Sequence, residues 1–268
     1  MPGQKGYPGG HRTDAQQVRQ TPAGCTVGDV SGNGNGARLE LLGPFEFTHA
    51  GSRAPLPLGA QRLLAYLALH DDGAQRLAAA EQLWPDCPPS RAAANLRSAL
   101  CYARRATDVT LIDSAGQRLR LADSIHVDLN AVWDSARQVI DGISPLPDNW
   151  RTLIDDLGRE LLPGWSDDWL LMERDRWDQM RVYALESLAQ QFQAKDRYLP
   201  ALQAAWAAIA IDPLRETAHR IVIDVHIAEG NVANALKRYH EYRTYLYREL
   251  KVRPSTQMTE LVRSLTAT

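Results

Sequence analysis

From Arg38 onward the apolar positions fall first into alternation and then into helical spacing. RLELLGPFEF places Leu39 and Leu41, then Phe45 and Phe47, at every second position around a Gly43-Pro44 break, which predicts strands joined by a bend. HAGSR predicts a turn, and PLPL a short edge strand, where proline is tolerated. In LGAQRLLAYLALH, Ala60, Leu63, Leu64 and Leu67 recur at helical intervals until DDG stops the pattern. LAAAEQLW is a second short helix, closed by Pro85. A third runs from Ser90, read as its N-cap after two prolines, to Arg105. On it Ala92, Ala93, Ala99, Leu100 and Ala103 lie within roughly 60° of Leu96, so the helix docks by one narrow stripe. TLIDSAGQRLRL then alternates on both sides of Ser-Ala-Gly, a hairpin signal.

After Val127 the strand signal ends. DLNAVWDSARQVI predicts a helix up to Asp141-Gly142, NWRTLIDDLGREL another, and LLPGWSDDW a Gly/Pro corner. MERDRWDQMRVYALESLAQQF is a long amphipathic helix with Trp177, Leu185, Leu188 and Phe192 among its apolar positions. The rest of the chain repeats itself: Ala184, Asp196, Tyr198, Ala201 and Leu202 have counterparts 34 residues on at Ala218, Gly230, Val232, Ala235 and Leu236. That period belongs to tetratricopeptide-like helical pairs. A last helix is expected from Thr256 to Leu265. The expected fold is therefore mostly α. An α+β winged helix-turn-helix over 38–126 precedes an all-α tetratricopeptide-like domain over 127–268. Residues 1–37, with nine glycines and three prolines, read as a disordered leader.

Composition narrows this picture without replacing it. The 268 residues are 44% hydrophobic and 23% charged, globular values, with a net charge of −2. Any basic surface must therefore be local. Residues 38–126 carry ten basic and nine acidic side chains, and 127–268 carry seventeen and twenty-one. Three cysteines, Cys25, Cys87 and Cys101, show no CxxC spacing and suit a reducing cytoplasm. No apolar run is long enough to span a membrane. No GxSxG, Walker A or HExxH motif occurs, so neither an active site nor a cofactor is expected.

The candidate chemistry lies on the third helix. Opposite its apolar stripe stand Arg91, Ser98, Cys101, Tyr102 and Arg105, flanked by Asn95, Arg97 and Arg104. Four arginines and no acid occur between Ser90 and Arg105. Arginine forks beside Asn and Ser can read phosphates and base edges in a major groove. Arg118 and Arg120 on the hairpin would lie along the backbone as a wing. The competing reading pairs Arg97, Arg104 and Arg105 with acids of the helical half. Gln61 and Arg62 read as solvated surface, and Tyr239 and Tyr242 as core of the last repeat. His219 and His226 lack the companions of a metal set.

LLPGWSDDWLLMERDRWDQMRVYALESLA and RELKVRPS, with LGPFEF, EQLWPD and AAANLRSAL in order before them, resemble the Streptomyces antibiotic regulatory protein (SARP) group over about 38–265. The resemblance implies a short activator of a secondary-metabolite gene cluster that binds double-stranded promoter DNA at directly repeated sites. It implies two protomers side by side and contact with RNA polymerase, all in the cytoplasm. Arg97 matches the arginine of the family's leucine-arginine helix motif. Gln117 replaces an aromatic residue in the wing, and Tyr102 stands where a basic residue is frequent. A helical-repeat interaction scaffold with a vestigial winged helix is the alternative, and repression instead of activation would use the same DNA chemistry.

Overall fold

A computed structural model describes residues 36–142 and 146–266. The glycine-rich leader of 1–37 lies almost wholly outside the described residues. Strand β1 (Ala37–Glu40) pairs antiparallel with β2 (Glu46–His49), and β2 with β3 (Ser52–Arg53). Ala50 and Gly51, both with positive φ, make a two-residue turn, the geometry that matches strand twist in a hairpin. The expected edge strand PLPL is displaced by this tight turn. The return strand is already over at Arg53, and Pro57 instead caps helix α1 (Leu58–Ala68). Prolines 55 and 57 have no N–H to give to β2, so the ladder stops before them.

Helices α1, α2 (Arg76–Leu83) and α3 (Pro89–Arg105) pack together, with Leu63, Leu64, Leu83, Leu96 and Ala103 buried between them. The cap of α3 is Pro88, with Pro89 at its first position; Ser90 lies inside the first turn and caps nothing. Proline's fixed φ suits that position, where a missing N–H costs nothing. Beyond α3, β5 (Ile112–Ala115) and β6 (Arg118–Leu121) form the expected hairpin around Gly116-Gln117. A strand that no sequence pattern announced, β4 (Ala74–Gln75), joins β6 to give the order β4-β6-β5.

Another unannounced strand, β7 (Ile125–Val127), runs parallel to β1 and completes a sheet of order β3-β2-β1-β7. Helix α4 (Asp128–Asp141) comes directly after it, ending on left-handed Gly142 as expected. Helix α5 (Trp150–Leu157) stops at Gly158, short of the predicted NWRTLIDDLGREL. The remainder of that segment, through Leu162, runs back across the end of β1. Leu42 and Leu161 form a β-bridge, the N–H of Leu162 donates to the Leu41 carbonyl at 2.9 Å, and that of Gly43 donates to the Glu160 carbonyl at 2.7 Å.

Helix α6 (Asp168–Gln193) begins the stack of α7 (Tyr198–Ile211), α8 (Glu216–Ala228), α9 (Val232–Leu250) and α10 (Thr256–Thr266). Asp196 between α6 and α7 and Gly230 between α8 and α9 both take positive φ. These are two of the positions the 34-residue period aligns, so the repeat in sequence is a repeat in backbone. Tyr239 and Tyr242 are buried with Leu246 and Met258 in a small cluster of the last pair. A single larger core runs from Ala37 to Val225 through both halves. The fold is thus a β-rich winged helix-turn-helix followed by an all-α helical repeat.

Candidate nucleic-acid interface

Helix α3 is positioned by small residues. Ala92, Leu96, Ala99, Leu100 and Ala103 are buried, and Ala93 is half-buried. With alanine at most contact positions, the helix axis can approach α1 and α2 closely, which leaves the opposite side clear of the module. On that side Arg91, Arg97, Ser98, Tyr102, Arg104 and Arg105 are exposed. Asn95 is half-buried, its amide 3.9 Å from the Cys87 sulfur. The competing pairing with the helical half does not occur: among the described residues none of the four α3 guanidiniums meets a carboxylate within 4 Å. Arg104 and Arg105 close the last turn, where the helix dipole favours cations.

The wing is braced from behind. Gly73 takes φ +70°, and a Cβ there would lie 2.3 Å from the Leu119 carbonyl oxygen, so only glycine lets this turn touch β6. Arg118 Nε donates to the Asp72 carbonyl at 2.7 Å, and Arg120 pairs with Asp123. Both wing arginines are exposed but held by their own module. Arg76, which carried no motif in the sequence, bonds the Gly116 carbonyl at 3.3 Å and the Ser114 hydroxyl at 2.6 Å. Its signal was its place at the start of α2, directly after the short strand that pairs with the wing.

Arg62 is neither solvated nor free for phosphate, as its half-buried ion pair with Asp167 joins α1 to the corner before α6. Gln61 bonds the Leu56 carbonyl at 2.7 Å. Aromatic contacts continue this seam, with Phe45 and Trp165 rings 5.8 Å apart and Tyr66 edge-on to Trp169 at 5.3 Å. Its polar anchor is Asp128, whose carboxylate accepts the N–H groups of Leu41 at 2.8 Å, Leu42 at 3.1 Å and Leu129 at 2.7 Å. The sequence marked Asp128 only as part of a helix start.

In the helical half, Glu186 and Arg215 form a bidentate pair, both contacts 2.9 Å, with the guanidinium 4.5 Å from the Tyr183 ring. Hydrogen bonding to the buried carboxylate drives the Arg215 pKa further up. His219 stacks on Tyr242 at 4.2 Å and donates to the Pro213 carbonyl at 3.0 Å. Desolvation holds its pKa below the usual imidazole value, and burial pushes the Tyr242 phenol up to about 12. Among the described residues no three His, Cys, Asp or Glu side chains gather as a metal site, and no helix is long and apolar enough to cross a membrane.

A winged helix-turn-helix with an unopposed arginine face, followed by stacked helical pairs, is a two-part architecture. Residues 150–266 match the family described as the Bacterial transcriptional activator domain. The regulatory protein AfsR of Streptomyces coelicolor is 27% identical over 234 residues, 84% of this chain and 24% of AfsR. Mycobacterium tuberculosis EmbR, solved in complex with a low-affinity phosphopeptide, superposes with a TM-score of 0.68 at 18% identity. That match covers 86% of this chain and 65% of the EmbR chain. The chain is thus similar to AfsR in sequence and to EmbR in fold, and its residues 150–266 match the activator-domain family. It spans about a quarter of the length of AfsR.

Proposed function

We propose that this protein is a sequence-specific transcriptional activator, pathway-specific for a secondary-metabolite gene cluster and acting in the cytoplasm. Residues 38–126 are the DNA-binding domain and 127–268 the activator domain. Helix α3 enters the major groove of double-stranded promoter DNA, with Arg91, Asn95, Arg97, Ser98, Tyr102, Arg104 and Arg105 on its reading face. Arg118 and Arg120 on the wing run along the phosphates. Two protomers occupy directly repeated half-sites, and the helical half engages RNA polymerase. The observation that carries this reading is the state of the α3 arginines: among the described residues all four are exposed and without an intramolecular ion pair. Nearby Arg62 is, by contrast, neutralised by Asp167.

An unpaired guanidinium loses no protein partner on reaching DNA, so its full charge is available to release counterions. Base contacts then set register and sequence. The test is a gel-shift titration against the promoters adjoining the gene. Arg97→Ala is expected to weaken binding by about 1–3 kcal/mol if the fork meets a base edge. Log affinity should fall with log salt by about 0.9 per phosphate contacted. Weak, sequence-blind binding would leave only a helical-repeat scaffold. Transcription from a reconstituted promoter separates activation from repression.

A further inference from the structure

Where the winged helix meets the corner before α6, the surface opens into a groove of about 730 Å3. One wall is the chain between α2 and α3, with Trp84 and Asp86; the other is Trp165, Asp168 and Trp169. The volume falls within the range of small-molecule sites, which favour such junctions between modules. All three indoles are half-buried, packed in part against the core. Leu58 at the rim is 61% exposed, a large apolar side chain left to water.

The charges in the groove do not cancel. Asp167 is satisfied by Arg62 and by the Trp169 indole N–H at 3.2 Å. Asp86 and Asp168 are exposed and take no ion pair or side-chain hydrogen bond among the described residues. Asp168 lies in the first turn of α6, where the helix dipole favours negative charge. The groove therefore carries excess negative charge between aromatic walls. Phosphate is repelled from it, so it does not extend the proposed DNA surface.

We propose that this groove is a binding site for a small organic cation with an apolar body, a quaternary ammonium or protonated amine. The negative faces of indole rings attract such a cation, best of all side chains, and more so when water is displaced. The two unpaired carboxylates supply the counter-charge, and Leu58 covers the apolar body. Because Cys87 lines the same groove and touches Asn95, an occupant would sit against the chain that leads into α3.

The test uses the full chain without DNA, so its outcome is independent of the transcriptional reading. Benzyltrimethylammonium, choline, the neutral choline isostere 3,3-dimethylbutan-1-ol and a lysine-rich peptide are each titrated by calorimetry and by tryptophan fluorescence. One-to-one, saturable binding of benzyltrimethylammonium is expected, with choline weaker and its neutral isostere weaker than choline by about tenfold. The double variant Asp86→Asn/Asp168→Asn and, separately, Trp84→Leu should each lose affinity by about tenfold or more. Asp134→Asn, elsewhere on the surface, should change nothing, and circular dichroism checks that each variant folds. No saturable binding of either cation at millimolar concentration overturns the proposal. So does equal binding of the neutral isostere, cation binding indifferent to the Asp variants, or binding of the lysine-rich peptide alone.

Discussion

Removing the Asp128 carboxylate tests how the two halves are held together. In Asp128→Ala the N–H groups of Leu41, Leu42 and Leu129 lose their acceptor. Leu41 and Leu42 are 0% exposed, and the cavity left by a carboxylate is shared between a strand end and a helix start. A hydrogen bond to a charged group contributes about 1.5–3 kcal/mol, and an orphaned buried donor costs about 1–3 kcal/mol. The Leu129 donor lies in the first turn of α4, where an unpaired N–H is usual, so only the two strand donors count in full. The expected loss is about 3–5 kcal/mol, a large part of the roughly 5–15 kcal/mol of an ordinary domain. Asp128→Asn keeps one acceptor oxygen but turns an NH2 towards a donor, and should lose about 2 kcal/mol.

Urea denaturation followed by tryptophan fluorescence reads this, because Trp133 and Trp177 stack 5.9 Å apart beside α4. The midpoint should fall in the order wild type, Asn, Ala, with an unchanged slope. Arg97→Ala, on the exposed α3 face, should stay within about 0.5 kcal/mol of wild type. A loss below about 1 kcal/mol for Asp128→Ala would mean that water replaces the carboxylate, and the reasoning fails.

Three further outcomes rest on other contacts of the same structure. Arg215→Ala strands the Glu186 carboxylate, which is 5% exposed, and should cost about 3 kcal/mol in urea titration; Arg215→Lys, unable to bridge both oxygens, should recover only part. Gly73→Ala forces a Cβ against the Leu119 carbonyl at positive φ, and should cost at least about 2 kcal/mol and weaken DNA binding in the gel shift by loosening the wing. His219 is held neutral by burial, its pKa below 6.5, so the unfolded chain binds the proton more readily. Stability contributed by this site is therefore full above pH 6.5 and declines as pH falls through that value. His219→Gln should flatten the fall in melting temperature between neutral and mildly acidic pH, and an unchanged slope would remove the histidine as its cause.

Much of this was readable in the sequence because it rests on local periodicity. The apolar stripe on α3, the hairpin after it and the 34-residue repeat all came from spacing alone, and Asp196 and Gly230 show the repeat continuing into backbone angles. The short strands β4 and β7 were not readable, since two or three residues carry no period, and the neighbours that pair with them lie far along the chain. PLPL failed as a strand because alternation of apolar residues says nothing about which N–H groups a sheet edge needs. Ser90 failed as a cap because the two prolines before it had already fixed where the helix begins.

What sequence determined by itself was most of the elements, the basic composition of one helix and its family likeness, each a property of residues near one another in the chain. What only tertiary structure decided was partnership. It committed Arg62 to Asp167, fixed Asp128 to the end of β1 and gathered three indoles with unpaired acids at a seam. It also left the α3 arginines, among the described residues, without any carboxylate. An ion pair or a groove depends on distances between residues a hundred positions apart, which packing sets and local pattern does not encode.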